Sequence, residues 1–215
     1  MAQNDSPPAT ADKPRRGRPR GAPDASESRQ KLIRAGLESL TERGYSAVGV
    51  DEILKAAGVP KGSFYHHFAG KADFGLALVA AYNAYFLDLL DRAFLDEGHK
   101  PLDRLRHFTA KAEDGMARHG FRRGCLVGNL GQEMGALPDD FRDALTGVLD
   151  DWQIRTARLL RAAQAQGQLS SDHDPEALAE VFWIGWEGAV LRAKLELRPE
   201  PLRRFADTFF RLIQR

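Results

Sequence analysis

An all-α fold is what this sequence predicts, and three observations carry the prediction. Apolar residues recur at three- and four-residue spacing: Leu32, Ile33, Leu37 and Leu40 form one stripe, and Phe141, Leu145, Val148, Leu149, Trp152, Leu159 and Leu160 form another. Beyond residue 23, Pro60, Pro101, Pro138, Pro175, Pro199 and Pro201 each stand at or near the start of a helix-like pattern, where a missing N–H costs little. No stretch sustains the two-residue alternation of a strand.

The patterns predict helices over about 25–43, 50–57, 60–67, 71–95, 101–119, 125–135, 138–166, 175–197 and 200–214. Asp24, with Glu27 three residues on, reads as the cap of the first. Gly167 ends the long seventh. Residues 1–23 carry five of the eleven prolines and no aromatic residue, so they read as a flexible arm that cannot bury enough surface to offset its ordering entropy. The sequence therefore divides into an arm (1–23), a small helical unit (24–70) and a larger helical unit (71–215).

Composition narrows the function classes. The 215 residues are 43% hydrophobic and 28% charged, ordinary for a globular chain. No uninterrupted apolar run reaches bilayer length and no apolar leader opens the chain, so neither a membrane partner nor export is expected and the cytoplasm is the simplest address. One cysteine makes neither an internal disulfide nor a multi-cysteine zinc site, so no metal and no cofactor are expected. The net charge of +1 hides an asymmetry: residues 1–71 carry +4 and residues 72–215 carry −3. A basic front on an acidic body suits a chain that touches a polyanion at one end.

The most informative stretch runs from Gly49 to Phe68. A short helix presents Val50, Ile53 and Leu54 to a core, Gly58 permits a left-handed turn, Val59 plugs it, and Pro60 starts a second helix. This is helix-turn-helix grammar, in which the second helix enters the major groove. Lys61 stands at its start, where phosphate is favoured. Gly62 and Ser63 are small enough for close approach, and Tyr65 and His66 carry hydrogen-bonding tips. Phe64 and Phe68 share a face and anchor the helix. Lys71 opens the next helix within reach of a flanking phosphate. His67 faces nearer the core. The plainer reading of the whole stretch is a helical corner with no nucleic-acid role.

Gly44-Tyr45 followed by Val-Asp-Glu-Ile-x4-Gly-Val-x-Lys-Gly-x-Phe-Tyr-x-His-Phe-x2-Lys resembles the DNA-binding domain of TetR-family transcriptional regulators, over about residues 28–75. The resemblance implies an all-helical homodimer whose last two long helices pair across the two-fold axis. It also implies a divergent C-terminal ligand domain, and DNA contacts from Lys61, Gly62, Tyr65, His66 and Lys71. One departure is Gly49, where many members cap the helix with Thr or Ser; it can cap but offers phosphate no hydroxyl.

Upstream, Arg16, Arg18 and Arg20 in Arg-Gly-Arg-Pro-Arg resemble an AT-hook core suited to an A·T minor groove. A solubilising tail is the alternative.

In the larger unit, Cys125, Asn129 and Gln132 fall at spacings of four and three, which predicts one face bearing a thiol and two amides, suited to a small polar ligand. Trp183 and Trp186 read either as pocket wall or as dimer interface, with the interface favoured for at least one. The run Gly-Cys-Leu-Val-Gly-Asn-Leu-Gly-Gln-Glu resembles an electrophile-sensing subgroup of the family, responsive to N-ethylmaleimide or acrylate. That resemblance makes acrylate or a related electrophile the candidate effector and Cys125 the candidate reactive centre. His107, Arg122, Arg123, Asn129 and Gln132 are candidates to hold a carboxylate. Inward-pointing arginines would lower the thiol pKa; a lone cysteine on an apolar helix is otherwise a small buried hydrophobe. The function expected is a ligand-released repressor on a palindromic operator. An enzyme is not expected; the remote alternative is a thiol enzyme pairing Cys125 with His107 or His119.

Overall fold

The computed structural model describes residues 25–214. Asp24 and the arginines at 16, 18 and 20 lie outside the described residues. Within them the chain forms nine α-helices and no strand: α1 (Ala25–Arg43), α2 (Val50–Ala57), α3 (Lys61–His67), α4 (Lys71–Phe94), α5 (Pro101–Ala117), α6 (Leu126–Gln132), α7 (Asp140–Ala165), α8 (Pro175–Glu196) and α9 (Glu200–Ile213).

The helix ends follow local chemistry. Asp174 caps α8, its carboxylate accepting from the N–H groups of Glu176 and Ala177, and Pro175 occupies the first turn. α5 stops short of the expected residue 119 because Gly120 and Phe121 both turn left-handed, at φ 57°. α6 is shorter than the predicted 125–135: Cys125 is its N-cap and Glu133 its C-cap. The glycine-rich segment that follows lacks the helix propensity to continue.

α1 packs on α2, α3, α4 and α6, so the first three helices form a corner seated on the rest of the chain. Its centre is aromatic. Phe64 and Phe68 of the α3 turn meet Phe74 of α4 at centroid distances of 5.3 and 4.9 Å. α4 then runs from that corner into the larger unit, packing on α5 and α7. There Trp152, Trp183, Phe86 and Phe108 form a second aromatic centre, with Trp152 and Trp183 4.9 Å apart. α7, α8 and α9 close that side.

Among the described residues, α4 alone is long and apolar enough to cross a bilayer by length and composition, closer to that limit than the sequence reading allows. Part of its apolar surface is engaged: Phe74, Leu78, Val79, Leu90 and Phe94 are buried in the core.

Candidate nucleic-acid interface and sensor centre

The turn between α2 and α3 has the predicted construction. Gly58 adopts φ 62°, ψ 34° and its N–H reaches back to the carbonyls of Leu54 and Lys55. Val59 is buried beneath it, and Pro60 is the N-cap of α3. Phe64 is fully buried, which forces the opposite face of α3 outward. Tyr65 is 56% exposed, His66 is exposed, and His67 is half-buried, as its position predicts. Nothing stands within 4 Å of where a side chain on Gly62 would begin. The Lys61 ammonium pairs with the Asp51 carboxylate at 3.0 Å, and that hydrogen bond raises its pKa. Both groups are exposed, so the pair is worth little and a phosphate can displace it. Open space surrounds Gly49, which caps α2 without any side-chain bond.

Lys71 sits differently from its neighbours. Its ammonium lies over the Tyr45 ring at 4.2 Å, half-buried, and burial lowers its pKa against the opposing pull of Glu133. In this arrangement it braces the corner rather than extending outward.

A polar joint fastens the corner to the larger unit. The Asn129 amide of α6 donates to the carbonyls of Leu40 and Thr41 at 3.1 and 2.9 Å. The Lys194 ammonium of α8 donates to the same Thr41 carbonyl at 3.1 Å and to Asn129 Oδ1 at 3.4 Å. The Gly124 N–H adds a third bond to Thr41, at 3.0 Å. These donors satisfy the Thr41 carbonyl at the end of α1, the Leu40 carbonyl being shared with the Gly44 N–H, and the lysine suits the negative end of the helix. Just beyond, the Glu133 carboxylate accepts from the N–H groups of Tyr45 and Ser46 at 2.8 and 2.7 Å. Burial pushes the Glu133 pKa up, but the bonds from Ser46 and Tyr45 outweigh it and hold the group below its usual value. Gly44 is required here twice over: it adopts φ 84°, and any side chain would overlap Glu133.

A buried polar cluster brings together side chains of α4, the start of α6 and α8. Cys125 is buried, with Tyr82 of α4 and Glu187 of α8 as its polar neighbours. Burial, then the adjacent Glu187, pushes the thiol well above its usual pKa. Burial likewise raises Glu187 to about 7, with the thiol pulling slightly the other way and no cation contributing. Tyr82 is raised by burial in the same way. Gly128 makes this approach possible, since a Cβ there would overlap Glu187 Oε2.

The expected ligand contacts lie apart from one another. Asn129 is committed to α1, and Gln132 is exposed, donating to the Gly128 carbonyl of its own helix. The three side chains do not form one surface: Cys125 is buried, Asn129 turns to α1 and Gln132 is exposed. His107 is exposed and packs edge-on against His99 at 4.4 Å. Arg122 is exposed and Arg123 pairs with Glu38 at 3.6 Å, so neither lowers the thiol pKa. The groups nearest the thiol are Tyr82 and Glu187, not His107 or His119. Trp183 and Trp186 are 1% and 2% exposed within one chain. The Trp183 indole N–H donates to Thr156 Oγ1 at 3.0 Å, and Trp186 stacks on Phe182 at the edge of an open cleft of about 340 Å³ between α5 and α9. Neither is left for a partner chain.

Sequence reasoning missed Tyr82, Glu133, Glu187 and Lys194. Glu187 left a trace: it is the one charged residue between Glu180 and Arg192, in an otherwise apolar run. Nothing local marked the others. Among the described residues no cluster of His, Cys, Asp or Glu could hold a metal ion.

Comparison with known proteins fits this geometry. Residues 32–78 match the family model of bacterial regulatory proteins, tetR family, and residues 101–209 match the tetracyclin repressor-like C-terminal domain. The chain is 74% identical to the transcriptional regulator AcuR of Cereibacter sphaeroides, over 98% of this chain and 96% of that one. It is 33% identical to the HTH-type transcriptional repressor NemR of Escherichia coli K12, over 82% of this chain and 88% of that one. Among solved structures, a regulatory protein TetR from Rhodobacter sphaeroides aligns with TM-score 0.85 and 75% identity, covering 86% of this chain and 97% of that one. The reduced form of E. coli NemR aligns with TM-score 0.79 and 28% identity, covering 85% and 95%. The helix-turn-helix corner, the all-helical body and these matches together place the chain in the TetR family of transcriptional regulators.

Proposed function

We propose that the chain is a dimeric repressor that grips a palindromic operator and lets go when a small electrophile or unsaturated carboxylate, acrylate the leading candidate, enters beside Cys125. The observation that carries the reading is the outward face of α3, with Lys61, Gly62, Ser63, Tyr65 and His66 standing on a buried Phe64. In this reading residues 24–70 form the reading unit, residues 71–215 the sensing and dimerising unit, and Arg16, Arg18 and Arg20 of the 1–23 arm add minor-groove contacts. Dimerisation is supported by an apolar stripe on α8: Val181, Ile184, Leu191 and Leu195, of which Ile184 and Leu195 are 67% and 70% exposed. Two copies joined there would hold two α3 helices about one DNA turn apart, ~34 Å, or a multiple of it.

Tyr82 lies eleven residues into α4, about 16 Å along the helix from Lys71. A molecule that parts Tyr82, Cys125 and Glu187 therefore displaces the helix leading to α3. It also displaces α6, whose Asn129 and Glu133 hold the end of α1 and the following turn. Either displacement respaces the two α3 helices. An effector need favour the released form by only a few kcal/mol to empty the operator.

The test is a fluorescence-anisotropy titration on duplex DNA flanking the chain's own gene, with and without acrylate. Acrylate weakening the complex at least tenfold supports the reading. Tight DNA binding indifferent to acrylate removes that effector, and absence of DNA binding removes the repressor.

A covalent response is a second reading, favoured by the place of the chain's one cysteine in a buried polar cluster with Tyr82 and Glu187.

A further inference from the structure

We propose that Lys194 is a specificity-determining residue for the operator: it ties α8 directly to the end of α1 and so sets the half-site spacing that the two reading corners accept. This role rests on the dimeric repressor proposed above and names what fixes the angle of each corner to the two-fold axis.

α1 meets the larger unit first at Gly36, which lies so close to α4 that a Cβ there would stand 2.6 Å from Phe74 and 2.8 Å from Leu78. A helix held at one such point can pivot about it. The second hold is at Thr41, about 7.5 Å further along the axis. Three donors converge on the Thr41 carbonyl: the Asn129 amide at 2.9 Å, the Gly124 N–H at 3.0 Å and the Lys194 ammonium at 3.1 Å. Lys194 also reaches Asn129 Oδ1 at 3.4 Å, so the amide that holds α1 is itself held from α8. Gly124 leaves room for the lysine stem, since a Cβ there would stand 3.2 Å from Lys194 Cδ. Of the three donors, Lys194 is the one that comes from α8.

The opposite side of α8 gives that donor its meaning. Val181, Ile184, Gly188, Leu191 and Leu195 recur at spacings of three and four, the pattern of a seam between two helices. All five are exposed, and nothing stands within 4 Å of a Cβ on Gly188, so the seam faces away from its own chain. Lys194 precedes Leu195 by one residue, about 100° around the helix. It shares its row with the buried Val190. One turn of α8 therefore carries the proposed partner contact on one side and the hold on α1 on the other. With two α8 helices fixed against each other, each Lys194 passes that fixed geometry to its own α1 without going through α4. One base pair added between half-sites moves them apart by about 3.4 Å and turns one against the other by about 35°. A corner free to pivot about Gly36 follows such a change, whereas a corner also pinned at Thr41 does not.

The experiment compares full-length wild type with Lys194→Met, which keeps the apolar stem and removes the donor. The probes are duplexes of the palindrome footprinted in the DNA flanking the chain's own gene, with the half-site spacing native, one base pair shorter, or one or two longer. Affinities are read by fluorescence anisotropy. Wild type should prefer the native spacing by roughly tenfold or more. Lys194→Met should lower that preference by about tenfold, the scale of one hydrogen bond from a charged donor, by gaining on the altered duplexes more than it loses on the native one. Lys194→Arg, a charged donor of similar reach, should restore part of the preference. Lys194→Gln, whose amide stops one bond short of the ammonium, should behave as Lys194→Met does and decides the matter if the apolar variant misfolds. Three results overturn the proposal: a folded Met or Gln variant that discriminates spacing as wild type does, a variant weakened equally on every duplex, or a wild type indifferent to spacing. The second would make Lys194 a support for the fold and no more. A wild type that binds none of the duplexes instead removes the repressor reading and this role with it.

Discussion

α3 and α6 are both seven residues long and both lie at the junction between the reading corner and the body, yet they work in opposite ways. α3 buries Phe64 and turns its polar residues to solvent. α6 buries Leu126, Val127 and Leu130, and its polar neighbours reach across to other helices. Asn129 and Glu133 bind backbone groups 87 to 89 positions away in the chain, Leu40 to Ser46. A short helix can thus serve by presenting groups or by holding other elements still, and composition alone does not separate the two uses.

The largest expected effect tests what α3 stands on. Phe64→Ala removes a fully buried ring from the Phe64–Phe68–Phe74 cluster and should cost about 3–5 kcal/mol, read as a lower denaturant midpoint and loss of DNA binding together. Retention of wild-type stability would mean that the corner is not built on that cluster.

Next comes the cluster of Tyr82, Cys125 and Glu187. The native Glu187 carboxyl keeps its proton up to about 7, while in the unfolded chain it loses it near 4.5. Between those values the native state holds the extra proton, so this group's contribution to stability falls as pH rises through the window and levels off above it. The loss is on the order of 2 kcal/mol after allowing for partial exposure. Glu187→Gln should remove this slope from thermal melts taken between pH 4.5 and pH 8. A slope unchanged by the substitution would assign the titration to another group.

The joint should give a smaller effect with a more particular signature. Glu133→Ala leaves the Tyr45 and Ser46 N–H groups without their acceptor and should cost about 1–2 kcal/mol. The effector response should shrink more than DNA affinity does, because the variant loosens the link between the two units without touching the DNA-facing residues. An effector response of full size in this variant would route the signal through α4 alone. Smallest of all, Lys61→Ala should flatten the dependence of log affinity on log salt by about 1 per protomer.

The same contrast explains what was legible. The α2–α3 corner could be read because its logic is local: Gly58, Val59, Pro60 and Phe64 fix the turn and the outward face within seven residues. The helix order could be read too, since apolar spacing and prolines mark it throughout. The interior polar contacts could not. Which carbonyl Asn129 satisfies depends on where α1 ends against α6, and no spacing within α6 encodes that. The preference for an interface at Trp183 or Trp186 meets a related limit. Aromatic enrichment describes both interfaces and cores, and here Thr156 and Phe182 inside the same chain receive them.

The central claim is that α3 reads duplex DNA. The direct measurement is an anisotropy titration of the flanking-DNA duplex with wild-type protein and with Lys61→Ala/Tyr65→Ala, whose side chains are exposed and not needed for folding. The account predicts an unchanged circular-dichroism melt and an affinity at least a hundredfold weaker, about 3 kcal/mol. A double variant that melts like the wild type and still binds with full affinity would contradict it.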